Sequence, residues 1–179
     1  MVVEAVFSLS AAWIARSPAL LAFGGDSAIE LVSAVVVLRR FRVLSQEADA
    51  EERAAKFAGG LLFALAACVV LASILSLLGH IEPRPSVLGI SVLVVAAIAM
   101  PLLAQQKRRL SAATGSAALR ADAAESAVCG YLAWIALVGL VVNATWGVKW
   151  ADPVAALTLL PLIVREGIEA MKGKPCCER

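Results

Sequence analysis

Six apolar stretches recur along this chain, and each approaches or reaches the roughly 20 residues that an α-helix needs to cross a bilayer. That recurrence limits the possible folds more than any motif does. Sixty-one per cent of the 179 residues are hydrophobic and 17% are charged, against about 25% charged in a soluble domain. A soluble core of this length has no use for the excess, whereas a bilayer requires lipid-facing side chains to be apolar as well. The expected fold class is an all-α membrane protein, a six-transmembrane-helix bundle.

The punctuation between the runs sets the expected helices at about 2–15, 19–40, 57–78, 87–104, 114–142 and 152–171, one transmembrane domain over 1–171, with a short tail at 172–179. The first run is short, so its helix is either thinned and tilted or incomplete at its start. Arg16-Ser17-Pro18 ends it. A charged link covers 45–56, and Pro83 and Pro85 make 79–85 a turn. Residues 143–150 read as a polar and aromatic loop, after which Asp152 is the expected N-cap of the sixth helix and Pro153 its first residue. Met1-Val2-Val3-Glu4 has no basic region, so no cleaved leader is expected. The four cysteines are too scattered for a disulfide framework and are expected to be reduced. Without a phosphate loop, HExxH or CxxC pattern, the chain is expected to be no enzyme, to hold no cofactor and to bind no nucleic acid.

Basic residues fix the orientation. Arg39, Arg40, Arg42, Arg53, Lys56, Lys107, Arg108, Arg109, Arg120, Arg165, Lys172, Lys174 and Arg179 fall on one side, and only Arg16, Arg84 and Lys149 on the other. The positive-inside rule puts both termini in the cytoplasm, N-in/C-in, with Trp146 and Trp150 at the opposite interface. The plasma (inner) membrane is the expected location, with membrane lipid as a partner.

Four acidic residues fall inside the apolar runs, Asp26, Glu30, Asp122 and Glu125, and Glu4 is a fifth on the short first helix. A charge at the bilayer centre costs about 2.5–3.5 kcal/mol even on lenient insertion scales. Asp26 lies ten residues past Arg16, roughly 15 Å along a helix and so about half of a ~30 Å core. If the fifth helix runs 114–142, Glu125 and Cys129 straddle its midpoint at Val128. Asp26 and Glu30 are spaced i, i+4, Asp122 and Glu125 i, i+3, and Glu125 and Cys129 i, i+4, so each set shares a helix face. Two such faces brought together offer carboxylate oxygens and a thiolate to a divalent transition metal. Zinc suits mixed oxygen and sulfur donors, and an all-oxygen set leans towards manganese. Pairing of the acids with Arg120 or with Ser27, Ser33 and Ser126 is the structural alternative. Cys129 is equally readable as a small buried hydrophobe.

These segments resemble the cation diffusion facilitators. Ser17-Pro18-Ala19-Leu20, followed by Asp26-Ser27-Ala28-Ile29-Glu30, is similar to that family's S-x-A-L and D-x-x-x-D stretch on its second helix. Ser116-Ala117-Ala118-Leu119-Arg120-Ala121-Asp122-Ala123-Ala124-Glu125-Ser126 resembles its fifth-helix motif, with Glu125 where the family usually has His and Cys129 where it has Asp. Trp150-Ala151-Asp152-Pro153 looks like the start of its sixth helix. The resemblance implies a homodimeric, proton-coupled exporter of zinc, or of Mn2+, Fe2+ or Cd2+, with Asp26, Glu30, Glu125 and Cys129 as the metal site and Asp122 beside them. Family members carry a cytoplasmic metal-binding domain after the sixth helix. This sequence ends at Arg179, so the expectation is a transmembrane domain only, its dimer resting on helices, with Gly59-Gly60 as candidate contacts.

The expected mechanism is proton linkage. Desolvation disfavours a carboxylate's charged form, a metal needs deprotonated ligands, and alternating access then exchanges inward metal for outward protons. A metal-binding regulatory protein without flux and a small-molecule/proton antiporter are the alternatives. Two lesser features are expected to be bland: Cys176-Cys177 as exposed tail thiols, and His80 with Glu82 as a solvated outer loop rather than an exit site.

Overall fold

The computed structural model describes residues 2–42, 48–114 and 117–171, with side chains described outside 33–34, 36–42, 48–55, 114 and 117–122. Its elements are α1 (Val2–Ala15), α2 (Pro18–Arg42), α3 (Ala48–Leu77), α4 (Val87–Thr114), α5 (Ala117–Trp146) and α6 (Ala151–Met171). Among the described residues, 56–77, 87–113 and 123–146 are by themselves long and apolar enough to cross a membrane. The second and sixth helices carry acids within their apolar stretches, and the first is short. Together the six make an all-α membrane bundle.

Several helices run further than the sequence pattern indicates. The link expected at 45–56 is helical from Ala48, the basic run after Leu103 continues α4 to Thr114, and α5 extends through Asn143 to Trp146 where a loop was expected. The first two extensions are rich in Ala, Glu, Gln, Lys and Arg, which form helix readily in water. Hydropathy marks where such a helix leaves the bilayer, not where it ends. At the end of α5, Thr145 Oγ donates to the Val141 carbonyl (2.8 Å) and Asn143 Nδ2 to the Pro83 carbonyl (3.3 Å), so both polar side chains are accommodated within a helix. Gly147 then stops α5 with φ +64° and an N–H bond to Asn143 O (3.0 Å), the left-handed cap geometry.

The turn between α1 and α2 is equally defined. Arg16 has φ +52°, and Ser17 N donates to Ala12 O (3.2 Å), the long-range bond of a Schellman closure. Ser17 then caps α2 by accepting Leu20 N on its hydroxyl (3.1 Å), with Pro18 at the first helical position.

α2 is the central helix. It packs against α1, α3, α5 and α6, while α4 lies on α5 and α1, and α3 lies on α6. The core is built largely from alanines, Ala11, Ala15, Ala19, Ala22, Ala133, Ala136 and Ala156 among them, with Phe23, Leu20, Leu132 and Leu140 filling it. Small residues let helix backbones approach in a bilayer, where lipid tails remove the hydrophobic drive for association. Side chains such as Val87 (83% exposed), Val95 and Leu71 point outward, as lipid-facing residues do.

Gly59 is engaged inside the chain. A β-carbon there would meet the Gly167 carbonyl at 2.9 Å, so this glycine sets the approach of α3 to α6 and is not free to form the dimer contact expected of Gly59-Gly60. Gly60, by contrast, faces open space.

Candidate metal centre

Asp26 sits in the third turn of α2, enclosed because of the two glycines before it. A β-carbon on Gly24 would come within 2.6 Å of Ser8 Oγ and 3.0 Å of the Leu9 backbone nitrogen, and one on Gly25 would collide with Leu65 Cδ1. The glycines therefore admit α1 on one side and α3 on the other, and the two helices close over Asp26. Its side chain is 0% exposed. Neither carboxylate oxygen meets a donor at hydrogen-bonding geometry. An unsatisfied buried carboxylate costs several kcal/mol relative to water, so its retention needs a function or a compensating ligand.

The neighbours of Asp26 come from four helices. The acidic group acting on it most strongly is Glu166 of α6, followed by Glu125 of α5 and Glu4 of α1. Glu30, one turn along α2, is half-buried with Oε2 unbonded, and Asp26 is its strongest acidic neighbour. Cys129 is 1% exposed and a free thiol. Among the acids Glu30 acts on it most strongly, and it lies against the Ser27 hydroxyl. Gly130 helps to place it, since the Pro101 ring of α4 lies 3.2 Å from where a β-carbon would stand.

The structure thus brings Asp26, Glu30 and Cys129 into one neighbourhood. Glu125 acts on the same group but is exposed. The side chain of Asp122 lies outside the described residues, as do Cys176 and Cys177. Among the described residues, no three His, Cys, Asp or Glu side chains converge closely enough to hold a metal ion. The geometry is that of donors around a common space, not of a closed coordination shell.

α5 runs Ala117–Trp146, past the end expected at 142, and Glu125 and Cys129 lie in its first half. Lys107 on the extension of α4 donates to Ser126 Oγ at 2.9 Å, next to Glu125.

Glu166 was hidden in the sequence by its position near a charged helix end. A signal did exist. Asp152, Leu159 and Glu166 are spaced by seven residues, which holds them to one helix face, and Leu159 and Ile163 on that stripe are fully buried.

Asp152 also differs from expectation. α6 begins at Ala151, so Asp152 does not cap its own helix. Its Oδ1 accepts Ser17 Oγ at 2.7 Å, and its carboxylate faces the Ala19 amide, at the start of α2. Both residues are buried, Ser17 at 2% and Asp152 at 0%. One carboxylate oxygen thus finds a donor on a neighbouring helix, while Oδ2 has no partner at hydrogen-bonding geometry, although the first amides of α2, which lack intrahelical partners, lie toward it. This bond aligns the outer ends of α2 and α6, which run parallel. In the outer loops Lys149 Nζ and Glu82 Oε1 form an exposed ion pair at 2.8 Å, and this contact holds the Glu82 carboxyl below its ordinary value.

Residues 1–172 match the family model described as the cation efflux transmembrane domain. A search of curated proteins finds no match.

Proposed function

Because the chain belongs to the cation efflux family through its transmembrane domain, and is therefore a multi-pass membrane cation transporter domain, we propose that its cargo is a divalent transition metal, zinc first, moved out of the cytoplasm in exchange for protons. The observation that carries this reading is Asp26, fully buried with both oxygens unbonded, one turn from Glu30 and near the Cys129 thiol. A divalent cation is the ligand that such an arrangement lacks. Asp26, Glu30 and Cys129 are the inner donors, and Glu125, with Asp122 before it on α5, delivers metal from the cytoplasmic side. Two carboxylates and a thiolate favour zinc or cadmium, while a site dominated by its oxygens suits Mn2+ or Fe2+.

Metal ligands must be deprotonated, so loading releases protons and reprotonation releases metal. Alternating access couples the two if the donors face each side in turn. The Ser17–Asp152 bond joins the outer ends of α2 and α6. The working unit is a homodimer in the plasma membrane.

Vesicles reconstituted with the protein and loaded with a zinc-sensitive dye test the proposal. Zinc entry should accelerate when the interior is acidic and collapse in Asp26→Asn. Transport indifferent to the pH gradient, or unchanged in that variant, overturns it, and zinc binding without flux supports a regulatory protein instead.

A further inference from the structure

The acids on α2 and α5 leave Glu166 of α6 without a role. It is half-buried, and Asp26 is its strongest acidic partner. We propose that Glu166 is a further ligand of the transported cation, so that the binding site is built from three helices, α2, α5 and α6. This rests on the reading of Asp26 as a cargo ligand and adds to it.

A group of acids alone would not carry this. The independent observation is Asp26 itself, 0% exposed, with no donor group at either oxygen and with the Glu166 carboxyl within side-chain hydrogen-bonding reach of it. Two carboxylates facing each other in a low-dielectric interior repel, and a shared cation turns that repulsion into two attractions. The adjacent basic residue, Arg165, acts on Glu166 only weakly, and its Nε donates to Glu169 Oε1 at 2.9 Å, one turn along the exposed surface of α6.

The fold fixes Glu166 in this position twice over. At the outer end, the Ser17–Asp152 bond sets the register between parallel α2 and α6. From it, Asp26 lies nine residues along α2 and Glu166 fourteen along α6, roughly 13 Å and 21 Å. The longer Glu side chain leans back toward its helix N-terminus and covers part of the difference. At the inner end, the close approach of Gly59 to the Gly167 carbonyl fixes the rotation of α6 on α3, with buried Gly167 on the α3 side. Glu166, the preceding residue, stands about 100° round α6 from that contact, on a helix that also packs against α2.

The chemistry predicts a selectivity effect. A third carboxylate adds a hard oxygen donor, so its removal should harm Mn2+ more than Zn2+, which retains the Cys129 thiolate. Purified protein in detergent is titrated with Zn2+ and with Mn2+, and the apo melting temperature is read for each variant. Glu166→Gln should weaken Zn2+ about tenfold and Mn2+ about a hundredfold, given that even supporting contacts of a metal site are worth 10–100-fold. Glu166→His should restore Zn2+ but not Mn2+, because imidazole suits zinc. Glu169→Gln, within one turn of Glu166 but paired with Arg165 at the surface, should leave both affinities unchanged. If Glu166→Gln and Glu166→His bind both metals as the native protein does, or bind them identically weakly, the proposal is overturned. If Asp26→Asn weakens binding and Glu166→Gln does not, this inference alone fails. If Asp26→Asn also binds normally, the cargo site itself is misplaced and both readings fall.

Discussion

Asp26 and Asp152 are both completely buried in the same bundle, on helices that touch, yet they live in opposite circumstances. Asp152 offers one oxygen to the Ser17 hydroxyl and faces the first turn of α2, where backbone amides await acceptors. Asp26 lies in the body of α2, where every amide already has its helical partner, and neither of its oxygens finds a donor. The first aspartate joins two helices. The second finds no hydrogen-bond donor for either oxygen. Burial alone therefore says little about the role of a membrane carboxylate, and the donors around it say most.

The largest effect should come from separating the two by the same substitution. Asp26→Asn is expected to reduce vesicle zinc flux by more than about 100-fold, the upper end of what losing even a supporting contact of a metal site costs, while melting at or above the native temperature. Asp152→Asn keeps an oxygen for Ser17 and should melt close to the native protein. Loss of flux per folded molecule in Asp152→Asn equal to that in Asp26→Asn would erase the distinction.

Asp152→Ala sharpens the structural half. It strands the Ser17 hydroxyl and the first turn of α2, which should cost about 1–3 kcal/mol, read as a lower melting temperature in detergent. Gly24→Ala comes next. Overpacking against Ser8 and the Leu9 backbone costs about 1–3 kcal/mol, and the helix gains about 1 kcal/mol from replacing glycine. The net loss should be about 1 kcal/mol, with zinc affinity reduced because α1 is pushed off Asp26. Unchanged stability and affinity would show that the glycines do not position the site.

The smallest effect concerns the outer ion pair. Lys149 holds the Glu82 carboxyl below its ordinary value of 4.5, so any stability it gives is complete above that value and fades as pH falls through the lower folded value. Its side chains are 62% and 63% exposed, and exposed pairs contribute little. Glu82→Gln should leave the melting curve unchanged between pH 7 and pH 5, and zinc flux unchanged as well. A flux defect would assign the loop the exit-site role that its pairing with Lys149 argues against.

How much of this was legible in the sequence follows from distance along the chain. The Asp26-Glu30 pair is legible because i, i+4 spacing guarantees a shared face. Cys129 is legible as one turn beyond Glu125, but its meeting with Glu30 depends on how α2 and α5 pack. Glu166 was missed because only its seven-residue spacing from Leu159 and Asp152 sets it apart from Glu169, the surface partner of Arg165.

By itself, the sequence determined six helices, their membrane setting and the energetic oddity of acids within apolar runs, because hydropathy and charge act residue by residue. Only the tertiary structure decided which acids share a space. It turned Asp152 from a cap of its own helix into a partner of Ser17, and brought Glu166 to Asp26. Each of those outcomes depends on the register and rotation between helices, which glycines and a cross-helix hydrogen bond set over separations of a hundred residues or more.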